Sequence, residues 1–301
     1  MKSASKSAII NSAAKKSVMS RNPYIIDDKE PTLRESVFVL MDILGYSDLM
    51  LQSQRANQQQ PALRDLHSAL SASRNRLESQ ALFSISRKDF YALKSFTDNI
   101  VIGWPVHSDA QAEFGIAFPR LAEFQFNMAI RGYFMRGAVS VGPAYVDDVV
   151  VFGDALAEAY QGESILARDP RIIFTESAVR AVERHLKYYS QAANAPHVRD
   201  ILKDADGQWF LNYLESVLTA EDQLGPFYDE FMLHKSAVEK KLSEHTSNPE
   251  IWAKYAWVAG YHNYFCDLHS NHFDDEHRVN IELFKSTPSL IVGEEGLQTE
   301  L

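Results

Sequence analysis

With a single cysteine, Cys266, in 301 residues, the chain has no intrachain disulfide and no thiolate cluster for zinc, and a reducing compartment, the cytoplasm, is the expected home. No apolar run approaches the roughly 20 residues of a membrane-spanning helix. The short apolar patches at residues 8–10 and 24–26 are too brief for the apolar region of a secretory signal. There is no Gly-rich phosphate loop of the Walker type and no internal repeat. Positive charge is also scarce: 30 basic against 40 acidic residues give a net charge of −10. Without a basic face, nucleic acid is not an expected partner, and a polyanionic substrate needs local help. His262, His269, His272 and His277 lack a compact ligand spacing with a paired carboxylate, so they read as core or solvated side chains.

What the chain does have is apolar bulk. At 46% hydrophobic and 11% aromatic it can bury a core for one large domain, or one domain with an appendage. The organising stretch is Val37-Phe38-Val39-Leu40-Met41-Asp42-Ile43-Leu44-Gly45-Tyr46-Ser47-Asp48. Its β-branched, unalternated run predicts a strand covered on both faces. The strand delivers the Asp42 carboxylate at its end, and Gly45 permits a tight turn. Ser47 or Asp48 is the expected cap of the next helix, so the amides after Asp42 form a metal–phosphate arrangement in outline. A second stretch, residues 89–104, predicts two strands joined at Asp98-Asn99, which sets a second carboxylate at a hairpin tip. Two carboxylates at one sheet edge repel unless cations sit between them.

Along the chain, residues 1–34 read as an arm, with Tyr24-Ile25-Ile26 the anchor for a partner subunit if the arm packs on one. Residues 47–82 predict two helices, the second opened by Pro61, and residues 110–131 a third with an aromatic core face. Phe134 to Pro143 predicts a strand ending in a Gly-Pro turn, with Tyr145 to Phe152 as its partner. Gly153-Asp154 starts a helix, residues 171–174 form a strand, and Thr175 caps another helix. A late hairpin turns at Asp206-Gly207. The remainder, 216–301, is expected to be a C-terminal helical appendage to a main domain at 35–215. The fold class is α+β, a ferredoxin-like split βαβ sheet with packed helices.

Phe38-Val39-Leu40-Met41-Asp42-Ile43-Leu44-Gly45-Tyr46-Ser47, then Lys94-Ser95-Phe96-Thr97-Asp98, then Arg136-Gly137-Ala138-Val139-Ser140-Val141-Gly142-Pro143 with Phe152-Gly153-Asp154, resemble the class III nucleotidyl cyclase domain over residues 36–215. The helix from Gly153 and the tail Lys254-Tyr255-Ala256-Trp257 to His262-Asn263 resemble more narrowly the pyrimidine cyclases of bacterial Pycsar anti-phage defence. The resemblance implies that Asp42 and Asp98 bind two metal ions, joined by the Ile43 carbonyl, and that Leu44, Gly45 and Tyr46 hold the triphosphate. It implies that Lys94 selects the base, while Val150 stands where adenylate-type enzymes place its aspartate partner. The family's Asn and Arg on the following helix fall at Ala157 and Gln161, so those contacts are missing. A symmetric homodimer with sites at its interface is implied, with Lys203 or Arg199 of the late hairpin reaching phosphate across it. So is a separate cyclic-nucleotide-sensing effector.

The chemistry is the attack of a ribose 3′-hydroxyl on the α-phosphorus with loss of pyrophosphate. It needs a deprotonated hydroxyl and a neutralised triphosphate, which two Mn²⁺ or Mg²⁺ ions on oxygen ligands supply. Lys94 without an acidic partner suits a carbonyl oxygen better than an amine. UTP is therefore the expected substrate, giving cyclic UMP, with CTP second; Tyr46 and Phe96 narrow the pocket. Two other readings compete. A haloacid-dehalogenase-type phosphatase with Asp42 as nucleophile wants an aspartate at position 44, where Leu44 stands. A non-catalytic nucleotide-binding or dimerising module is consistent with Ala157 and Gln161.

Overall fold

The apolar run beginning at Val37 is the middle of a ten-residue strand, β1 (Arg34–Ile43), in which Val37 to Met41 are buried. The computed structural model describes residues 22–26, 30–79, 91–195, 197–218 and 226–281; the apolar patch at 8–10 and the hairpin start at 89–90 lie outside them. After β1 come helices α1 (Tyr46–Arg55) and α2 (Gln59–Ser79), strands β2 (Ala92–Phe96) and β3 (Asn99–Pro105), and helix α3 (Gln111–Ala129). Strands β4 (Met135–Val146) and β5 (Val151–Phe152) precede helix α4 (Asp154–Gln161), which continues into a π-turn at Gly162–Leu166. Strand β6 (Ile172–Phe174), helix α5 (Glu176–Leu186) and the hairpin β7 (Ile201–Lys203) and β8 (Trp209–Leu211) follow, then helices α6 (Tyr228–Glu244) and α7 (Pro249–Leu268).

The sheet order is β2-β3-β1-β4-β6-β8-β7, with β5 paired to the end of β4. Its first four strands, β4-β1-β3-β2, are mutually antiparallel, and each crossover skips one strand. This is the ferredoxin-like split βαβ arrangement of an α+β fold. Burial follows from composition: Phe114, Phe118, Phe124 and Met128 of α3 are at most 2% exposed, so the aromatic periodicity is core.

Four local expectations are corrected. Neither Ser47 nor Asp48 caps α1; Gly45 occupies the cap in a left-handed conformation, φ 75°, without a capping side chain. The first hairpin turns at Thr97-Asp98, with Thr97 at φ 53°, and Asn99 already pairs with Phe96. Gly142-Pro143 makes no turn: β4 runs through it, with Pro143 opposite Glu35. The reversal falls at 147–150 instead, because the Asp147 carboxylate accepts hydrogen bonds from the amides of Val149 and Val150 at 2.7 and 2.6 Å and closes the loop there. Tyr24 is no anchor for a partner. It is fully buried in this chain and donates to Ser36 Oγ at 2.9 Å, over Gly103, where a Cβ would lie 2.3 Å from the Tyr24 hydroxyl.

The C-terminal helices share the core of the sheet. Trp257 of α7 donates through Nε1 to Asp204 at 2.7 Å, and the buried Arg171 pairs with Asp204 and Asp206 while lying 5.5 Å from the Trp257 ring. Tyr261 donates to Asn212 at 2.6 Å and accepts from the Leu214 amide at 3.0 Å. These bonds fasten α7 to the late hairpin.

Candidate active site

Residues directly opposite in an antiparallel pair share a face of the sheet. Asp42 faces Arg136, Leu40 faces both Ala138 and Val101, and Val101 faces Lys94. Asp42, Arg136 and Lys94 therefore stand on one face, the one α4 covers: Ser140, of the same parity, donates to the Ala155 carbonyl of α4 at 2.7 Å. At the end of α4, Gly162 settles so close to β4 that a Cβ would lie 2.8 Å from that of Ala138. That approach brings the next residue, Glu163, beside Arg136.

Arg136 is the hub. Its Nε and Nη2 donate to the two oxygens of Asp42 at 3.1 and 3.2 Å, and Nη2 lies 2.8 Å from Glu163 Oε1. Asp98, at the hairpin tip, is near enough to act on both Arg136 and Glu163. Burial raises the Glu163 carboxyl above its ordinary value, reinforced by the Asp42 and Asp98 charges and opposed by Arg136. Burial works to lower the Arg136 guanidinium, but the hydrogen bond and charge of Asp42, with Glu163 and Asp98, raise it overall. Two carboxylates thus flank one guanidinium and a third acts on it through its charge, so hard oxygen donors outnumber the one cation.

Beyond Asp42 the chain turns at Leu44, Gly45 and Tyr46 into α1. This turn lines a cleft of about 680 Å³ whose opposite wall includes Lys241, His245 and Lys254 from α6, α7 and the link between them. Asp42, Asp98 and Glu163 are not in its lining, which begins at the residue after Asp42, Ile43. Ile43, at the end of β1, is 3% exposed and lies at the cleft's inner edge.

The other expected residues are dispersed. Val150 is exposed in the β4–β5 loop, and the carboxylate near Lys94 is Asp147, three residues earlier. Burial works to raise the Asp147 carboxyl, but the Val150 amide, the Tyr145 hydroxyl, the Val149 amide and the Lys94 charge hold it below its ordinary range. Lys94 is thus not without an acidic neighbour, contrary to what Val150 implies. Lys203 lies on the edge strand β7, four strands from β1, on the order of 19 Å at the usual strand spacing, so within one chain it does not join Asp42. Ala157 and Gln161 are exposed on α4. Of the histidines, His262 is fully buried and His277 pairs with Asp274 at 2.7 Å. Asp274, Glu276 and His277 do bring donor atoms within 4.8 Å of one another, but as a capping box on a short helical turn.

Arg136 and Glu163 carry no role in the sequence reading. A lone charge in an otherwise apolar strand was the available signal for Arg136; Glu163 has none, because the π-turn that presents it is set by packing. No protein-family model matches the chain, and no curated protein matches it. Among solved structures, the crystal structure of the guanylyl cyclase Cya2 is similar over 50% of this chain and 78% of that one, at 12% sequence identity and a TM-score of 0.38. Likeness that distant leaves the chemistry to be argued from the residues.

Proposed function

We propose that the chain is a nucleotide cyclase that converts UTP to 3′,5′-cyclic UMP and pyrophosphate. The observation that carries this reading is that Asp42, at the end of β1, pairs with Arg136, on which the charge of Asp98, at the β2–β3 tip, also acts, beside a glycine turn that opens on a cleft. The donor set fits divalent cations. Carboxylate oxygens outnumber the one guanidinium among them, and such ligands suit Mg²⁺ or Mn²⁺, held by Asp42, Asp98 and the Ile43 carbonyl. Bound there, the ions supply activation of the 3′-hydroxyl and neutralisation of the phosphates.

The chain's own groups do the rest. The amides of Gly45 and Tyr46 receive the triphosphate at a helix start that no side chain caps. The Leu44 amide expected beside them instead donates to the Phe134 carbonyl at 2.8 Å, so Leu44 only shapes the turn. Lys241 and Lys254 across the cleft supply positive charge to a molecule that is acidic overall. The 3′-hydroxyl gives up its proton to solvent water as its oxygen bonds to the α-phosphorus, the α–β bridge breaks, and pyrophosphate leaves with the charge.

Lys94, on the same face as Asp42, meets the base. Asp147 near it is engaged by two amides and by the Tyr145 hydroxyl at 2.7 Å, which leaves the Lys94 ammonium for a uracil carbonyl. Asp147 also favours a second reading: with one acceptor position left it suits the cytosine amine, and hence CTP. A second copy completes the enzyme, since Phe152, Tyr160 and Ile165 are 60–63% exposed. The reading extends to a cytoplasmic second messenger in anti-phage defence, sensed by a separate effector, with residues 35–215 as the catalytic region and 216–301 as its helical support. Among the described residues no helix is long and apolar enough to cross a membrane.

The test is incubation with each of the four ribonucleoside triphosphates and Mn²⁺, with products identified by mass spectrometry. Cyclic UMP should dominate. Dominant cyclic CMP selects the second reading, and no cyclic product from any of the four overturns the assignment. Lys94→Ala should narrow the UTP/CTP ratio of kcat/KM; an unchanged ratio removes Lys94 from base selection.

A further inference from the structure

Arg136 grips Asp42 through both carboxylate oxygens, at 3.1 and 3.2 Å. A fork of that kind occupies the lone pairs a metal ion needs, so an ion on Asp42 must displace the guanidinium from at least one of them. A displaced guanidinium needs somewhere to go. Glu163 is only 7% exposed, and its Oε1 lies 2.8 Å from Arg136 Nη2 yet makes no well-aligned hydrogen bond among the described residues. Its Oε1 is a buried carboxylate oxygen that ion-pairs with this guanidinium without an aligned hydrogen bond.

We propose that Arg136 is a resident counter-cation that competes with divalent ions for Asp42, and that Glu163 is the positioning carboxylate onto which it moves when an ion binds. This rests on the assignment of Asp42 and Asp98 as the ion-binding pair. In the ion-free chain the guanidinium spans Asp42 and Glu163 and holds the carboxylates apart from one another's charge. When an ion arrives, Glu163 retains Arg136 in full, Asp42 is released, and the arginine stays beside the site as the cation that position 161, a glutamine, does not supply. Gly162 makes the exchange short, since the π-turn rests against β4 with no Cβ between.

The test is Mn²⁺ binding to the full chain without nucleotide, read from the electron paramagnetic resonance signal of free Mn²⁺. Arg136→Gln should tighten binding on the order of tenfold, since the competitor is gone. Arg136→Lys keeps the charge but loses the fork, and it should also tighten binding; a purely structural or long-range electrostatic role leaves it at the wild-type value. Glu163→Gln strands the guanidinium on Asp42 and should weaken binding several-fold in the wild-type background. In the Arg136→Gln background the same change should have little effect. Additive effects in that double-mutant cycle, or unchanged affinity in Arg136→Lys, overturn the proposal. Because Arg136→Lys keeps the cation, it carries the test even if Arg136→Gln does not fold. Asp42→Asn separates the two levels: if wild type binds Mn²⁺ no better than Asp42→Asn, the ion-site assignment itself fails. If wild type binds better and the arginine variants do not tighten, only the competition fails.

Discussion

Asp42 owes its setting to a neighbour without a side chain. A Cβ on Gly137 would lie 2.5 Å from the Leu40 carbonyl and 2.7 Å from Met41 Cβ, so β4 approaches β1 at the step next to the Asp42–Arg136 pair. Gly137→Ala should force the strands apart there and cost about 1–3 kcal/mol, seen as a lowered calorimetric Tm; an unchanged Tm refutes the close approach. Asp42→Asn and Asp98→Asn keep side-chain size while removing a charged ligand. Each should lower cyclase activity on the order of a thousandfold or more with circular dichroism unchanged. Near-normal turnover in either variant removes that residue from the site.

Helices α6 and α7 meet through a directed chain of hydrogen bonds. His262 Nε2 lies 2.8 Å from the His277 carbonyl and must donate to it, so His262 Nδ1 accepts from His234 Nδ1 at 3.0 Å, and His234 Nε2 accepts from the Tyr213 hydroxyl at 2.9 Å. In this direction every link is made by neutral rings. Burial pushes His262 down to about 4 and His234 well below its ordinary value, helped by His262, and burial lowers His197 to about 4 as well. The folded chain then binds fewer protons than the unfolded one below the unfolded value of 6.5. Stability is full above that pH and falls as pH drops towards 4, with a slope of about 1.4 kcal/mol per pH unit for each such histidine. Urea unfolding at pH 7.5, 6.5 and 5.5 should show this decline, and a flat profile rules out buried neutral histidines. Sequence spacing alone reads His262 as a core or solvated side chain. It could not pair His234 with His262, which only the docking of two helices brings together.

The whole molecule presents an uncovered apolar region on the β4–β5 hairpin and along α4 and its π-turn, where Val149 is 85% exposed beside Val150 and Phe152, with Tyr160 and Ile165 further on. Phe152→Asp with Tyr160→Asp should convert a dimer to monomer in sedimentation velocity and lower specific activity, because a site completed across a twofold axis is lost with the partner. A monomeric wild-type chain that keeps full specific activity on dilution excludes the shared site.

The sequence by itself determined the ferredoxin-like alternation, the central strand and the two carboxylates at its edge, because unbroken β-branched runs and helical periodicity report local burial directly. Tertiary structure decided what surrounds Asp42. Arg136 is 94 positions away in the chain and Glu163 further still, and they meet Asp42 only through strand register and a π-turn packed on a glycine. The charge near Lys94 is that of Asp147 rather than anything at Val150, because a carboxylate that caps its own loop fixes where the hairpin reverses. Such pairings depend on register and close approach between distant segments, and a one-dimensional pattern carries neither.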